Sequence, residues 1–156
     1  MHTDQHRRAP RDDTTRLPRL LLTAQRINRE LASRYEVYLE QYALSVGVEA
    51  KQTVEMAKTI ILPAALRYQG ELAGVGANLK AVGVPFDATL LESVSSLIGD
   101  LTTGITALEG ALAHHGGDTT FEEASYACST FIPAMAEVRA AADALDFHLR
   151  RAFDFA

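Results

Sequence analysis

The chain has 156 residues, 47% of them hydrophobic and 22% charged, with a net charge of −5. That balance is ordinary for a globular domain, and the length suits one domain with a real core. It excludes a helix-spanning membrane protein, because no apolar run approaches the ~20 residues needed, and a nucleic-acid-binding surface, because phosphate contacts need a basic face.

Charge is unevenly spread. Residues 1–19 hold five arginines against three aspartates, a local +2, so the remainder carries −7. The segment is polar and contains Pro10 and Pro18. Its composition reads as a disordered or irregular basic stretch, since it has little apolar surface to bury. Its arginines are followed by no apolar core segment, so it does not read as a secretory signal, and the expected location is cytoplasmic.

From about Leu20 a helical pattern begins. Ile27, Leu31, Tyr35, Tyr38 and Tyr42 step by threes and fours, which places them on one face of a 3.6-residue period. The same spacing continues through Ala50, Val54, Ala57, Ile61 and Tyr68 to Leu72, Val75, Leu79 and Val82. Pro63 lies inside this run. It lacks a backbone donor and its ring crowds the preceding turn, so the expectation is a kinked long helix, with a break at Leu62 as the alternative. Lys51–Glu55 and Arg67–Glu71 stand at i,i+4 and are expected to pair on the surface.

Gly83-Val84-Pro85-Phe86 is the first clear turn, with Gly83 suited to a left-handed helix end and Asp87 to capping the next helix. That helix carries Leu90, Val94, Leu97, Leu101, Ile105, Leu108 and Leu112, with Gly99, Gly104 and Gly110 on or near the seam as points of close approach. The second turn is His114-His115-Gly116-Gly117-Asp118. Thr119-x-x-Glu122 and Thr120-x-x-Glu123 both fit a capping box. The last helix reads Phe121, Ala124, Cys128, Phe131, Met135, Val138, Ala142, Leu145 and Leu149, again with an interior proline, Pro133. The contexts Ile61-Leu62-Pro63-Ala64 and Phe131-Ile132-Pro133-Ala134 are alike, as two kinked helices accommodating each other would be.

Short turns make sequence neighbours antiparallel. The expected fold is therefore all-α: an elongated antiparallel bundle of three to four long helices, two of them with interior prolines. Its domain organisation is an irregular segment over 1–19 and a helical bundle over 20–153.

The sequence supplies no chemistry of its own. Gly74-Val75-Gly76 starts a G-x-G, but Leu79 stands where the third glycine of a dinucleotide fingerprint belongs, and no strand precedes it. No phosphate-binding loop or G-x-S-x-G occurs. Cys128, the single cysteine, excludes a disulfide framework and a four-cysteine zinc site, and its place on the seam predicts a buried structural thiol. His2 and His6, His114 and His115 read as exposed histidines. Glu122 and Glu123 suit a helix N-terminus, and His148, Arg150 and Arg151 a C-terminus. No residue is assigned a catalytic, cofactor-binding or metal-binding role.

One resemblance does emerge. Tyr35-Glu36-Val37-Tyr38-Leu39-Glu40-Gln41-Tyr42, Glu49-Ala50 and the run Ala57 to Leu72 resemble the C-terminal helical region of type III glutamine synthetases. Ile132 to Arg139 with Ala142-Asp143-Ala144-Leu145 resembles that region's last long helix, so the likeness spans about Arg26 to Leu145. It implies the non-catalytic helical part of an ATP- and divalent-metal-dependent glutamate–ammonia ligase of nitrogen metabolism, a ring-forming cytoplasmic homo-oligomer. The family's nucleotide, metal and glutamate motifs precede this region and are absent here, so the chain alone is expected to be inactive and to hold no cofactor. Its expected partner is the catalytic portion of a glutamine synthetase, or a second copy of itself. The alternative is an independent helical protein-interaction module.

Overall fold

The computed structural model describes residues 16–153 except His115. Every described element is helical. Helix α1 spans Arg16–Met56, a π-helical turn Ala57–Ile61 follows, and α2 runs Leu62–Ala81. Helix α3 spans Thr89–Leu112. Helix α4, Thr120–Tyr126, passes through a second π turn, Ala127–Phe131, into α5, Ile132–Phe153. Contacts divide the chain into two units, Met1–Tyr38 and Leu39–Ala156.

In the first unit the described part is the beginning of α1. Helix is already present at Arg16, so Arg16–Arg19 differ from the irregular segment expected over 1–19, whose first fifteen residues lie outside the described ones. Pro18 falls in the helix's first turn, where its missing N–H breaks no intrahelical bond, so it does not interrupt the helix. Every side chain from Pro18 to Tyr38 is exposed.

The second unit has a wholly apolar core. Ala50, Val54, Ala57 and Ala65 from the first helical run meet Val94, Ile98, Leu101, Ile105 and Leu108 of α3 and Val138, Ala141, Ala142 and Leu145 of α5. Helix α3 touches α2, α5 and both π turns, and its broadest contact is with α5. Cross-helix pairs run in reverse order along the chain: Lys58 meets Glu109 while Gln69 meets Ser95, and Ala111 meets Tyr126 while Gly104 meets Val138. Neighbouring helices therefore point in opposite directions.

Neither interior proline breaks its helix. Leu62 is helical, with φ −59° and ψ −45°, so the alternative of a break there is not realised. Pro63 and Pro133 each stand second in the α-helix that follows a π turn. A proline donates no hydrogen bond to the carbonyl four residues back, and its ring collides with that carbonyl. The π turn relieves this by wider pairing: Leu62 N–H donates to the Ala57 carbonyl, and Ile132 N–H to the Ala127 carbonyl, five residues back in each case. Thr59 Oγ1 adds a donor to the Glu55 carbonyl at 2.7 Å. The two similar sequence words thus encode the same device. The two π turns do not contact each other, and both contact α3.

The turns follow their local chemistry. Gly83 has φ +77°, a conformation other residues adopt at a cost. Its N–H donates to the Lys80 carbonyl, and Val84 N–H donates to the Leu79 carbonyl at 3.0 Å, the paired bonds of a Schellman end. Asp87 Oδ1 accepts from both Thr89 N and Thr89 Oγ1, and these bonds hold its carboxyl below the ordinary range. At the second turn the capping box is Thr119 with Glu122. Glu122 accepts from the Thr119 and Asp118 N–H groups, and the Thr119 side chain, followed by these N–H groups, lowers its carboxyl as well. Tyr126 then ties α4 to α3 by donating to the Ala111 carbonyl at 3.2 Å, and packs edge-on against Phe131 with ring centroids 5.4 Å apart.

Of the three α3 glycines, only Gly104 is a point of close approach. A Cβ there would lie 3.2 Å from Val138 Cγ2, whereas Gly99 and Gly110 have nothing within 4 Å. The expected surface pairs also differ. Arg67 Nε donates to the Pro63 carbonyl at 3.3 Å, and neither Arg67–Glu71 nor Lys51–Glu55 is among the ion pairs of the described residues.

Substitutions at two glycines and one carboxylate test this packing. Gly104→Val overfills the α3–α5 contact and should destabilise the protein by roughly 1–3 kcal/mol, while Gly99→Ala, open to solvent, should stabilise it by roughly 0.5–1 kcal/mol; urea unfolding of the two variants reads the opposite signs. For Glu122 the folded pKa is depressed, so its stabilising effect is present above the unfolded value of about 4.3 and fades as pH falls through the folded one. The melting temperature of Glu122→Gln should therefore fall less steeply than that of the parent chain on acidification below that point.

Candidate functional site

The buried set contains no polar or charged side chain, and no three His, Cys, Asp or Glu groups among the described residues come together to hold a metal. A family enzyme's ATP and divalent metal need converging carboxylates and phosphate donors. The described residues bring no such carboxylate set together.

The candidate residues singled out by the sequence lie apart. His2 and His6 fall outside the described residues, as does His115. His114 is exposed in the second turn, beside a shallow groove that also carries Glu40, Lys51, Glu123 and Tyr126. Glu122 is engaged in capping. Cys128 is exposed and not buried as its seam position predicts. The reason is the π turn: the extra residue per turn rotates the face, so Ala124 and Ala127 point inward and Cys128 turns outward. The neighbouring Cys128 thiol, more than the remaining burial and charge effects, raises Tyr42 above the ordinary phenol value.

What the second unit does present is an apolar groove between the end of α1 and α5. Met56, Ala57, Ile61, Ile132, Met135 and Val138 line it, and Glu49, Arg139 and Asp143 border it. Ile61 and Ile132, one from each proline-containing word, face this same groove. A second feature bridges the π turn and α3: Lys58 Nζ meets Glu109 Oε1 at 2.6 Å, with both side chains about half exposed. A pair at that exposure is worth at most about 1 kcal/mol. Sequence spacing misses it because the partners are 51 residues apart.

No helix among the described residues is long and apolar enough to cross a membrane. Residues 20–80, which hold most of α1, the first π turn and nearly all of α2, match the sequence model of the glutamine synthetase C-terminal domain family. Helices α3 to α5 lie outside that match. No curated protein and no solved structure matches the chain.

The exposed thiol gives a direct check of the rotated face. Cys128 should react with one equivalent of an aromatic disulfide reagent in the folded protein without denaturant, and spectrophotometric thiol titration reads this; a thiol reactive only after unfolding contradicts the placement.

Proposed function

We propose that this chain is the C-terminal helical domain of a type III glutamine synthetase, with a structural and oligomer-contact role and no catalysis of its own. The observation that carries the reading is the family match across residues 20–80, the stretch that includes Ala57 to Leu72, where the resemblance is strongest. The wholly apolar core and the scattered ionisable groups support a packing role. In this reading the helices form an elongated antiparallel bundle. The domain packs on the catalytic portion of a cytoplasmic glutamate–ammonia ligase, and that portion supplies the ATP, metal and glutamate sites. The second reading is an independent helical interaction module, favoured by the exposed apolar side chains along residues 20–38.

The assay is ammonia-dependent ATP consumption in the presence of glutamate and Mg²⁺. The purified chain should show turnover no higher than a buffer blank, and measurable glutamine formation would sink the non-catalytic reading.

A further inference from the structure

The first unit holds an apolar helix face that no described residue covers. Leu20, Ala24, Ile27, Leu31, Tyr35 and Tyr38 fall within a sector of about 80° at about 100° per residue. All six are exposed, Leu31 by 59% and Tyr38 by 70%. An isolated helical segment is marginal in water, and its stability comes mostly from packing an amphipathic face. The three-four spacing continues in sequence to Val46, Ala50 and Val54, which are buried in the second unit. The spacing is therefore that of a packing face, and its first stretch lacks a partner among the described residues.

The charges along the same segment say what covers it. Residues 16–29 carry Arg16, Arg19, Arg26 and Arg29 with no carboxylate, while residues 30–40 carry Glu30, Glu36 and Glu40 against Arg34. One half is cationic and the other anionic. Two copies side by side in parallel would set like charges together. Turned antiparallel, each cationic half lies along the other copy's anionic half.

We propose that residues 24–38 of α1 pair antiparallel with the same residues of a second copy of this chain, about a two-fold axis near Leu31. In that register Leu31 meets its own counterpart, Ile27 meets Tyr35, and the small Ala24 meets the large Tyr38. Such alternation of small and large side chains lets facing rows interdigitate. Glu30 and Arg34 lie on one flank of the stripe and already bond within the chain at 2.6 Å. Near the axis each Glu30 lies two residues, about 3 Å along the helix, from the other copy's Arg34 and equally far from the other copy's Glu30, so the two arginines flank the two glutamates. The interface is isologous, the same patch on both copies. This pairing stands on the exposure and charge order of α1 and does not depend on the synthetase reading.

The test is sedimentation equilibrium of the full chain, with cross-linking for orientation. The chain should sediment at twice its 17.0 kDa mass. Leu31→Glu, at an exposed position that leaves the folded chain's circular dichroism intact, should raise the dissociation constant about 100-fold or more. Arg34→Glu should weaken the dimer, and adding Glu30→Arg should restore it. On a Cys128→Ser background, Ala24→Cys mixed with Tyr38→Cys should form the mixed disulfide in preference to either self-pair. A monomer at all concentrations overturns the proposal. So does a dimer indifferent to Leu31→Glu, a preference for the Ala24→Cys self-pair, or a stripe that is covered only when a synthetase catalytic portion is added.

Discussion

The second unit depends on one row of side chains. Val94, Leu101, Ile105 and Leu108 on α3 are almost or fully buried, and each burial of this kind contributes roughly 1.5–3 kcal/mol before the entropy of ordering is subtracted. The other elements are arranged to reach that row. Gly104 lets α5 approach until Val138 lies on it. Ala57 and Ala65 let the first helical run come close on another side. The two π turns keep Pro63 and Pro133 from breaking the helices that must lie along α3. Small residues at the crossings and large ones between them give a core without a single buried polar group among the described residues.

A proline inside a helix is usually read as a kink or a stop. Here each follows a wider turn that moves the obstructed carbonyl aside and keeps the chain helical. The repetition of Leu/Ile-Pro-Ala after a π turn in both helices shows that the solution is local, because the two turns touch α3 and not each other. The wider turn also sets what each face presents. It turns Cys128 out to solvent and brings Ile61 and Ile132 to one groove.

The helices and their ends are legible in the sequence for physical reasons. Three-four spacing marks α3, and the Gly83 end and the Thr119–Glu122 box are short-range motifs whose bonds lie within a few residues. Ile98 escapes a count along one strict row, because a buried helix presents a wider face. Cys128 and Phe121 are misplaced by the sequence pattern because counting at 3.6 residues per turn does not register a π turn. Lys58 with Glu109 has no signal in spacing at all. The exposure of residues 18–38 is illegible for another reason: periodicity defines a face but not what covers it. Function rests on the family match, which reaches only part of the chain.

The most direct test of a structural role is reconstitution. The chain is co-expressed with a type III synthetase catalytic portion lacking its own helical C-terminal region, and the complex is purified through a tag on the catalytic portion. A docking domain should co-purify stoichiometrically and drive assembly into a larger oligomer than the catalytic portion forms alone. A catalytic portion that assembles unchanged and leaves this chain in the flow-through would contradict that role.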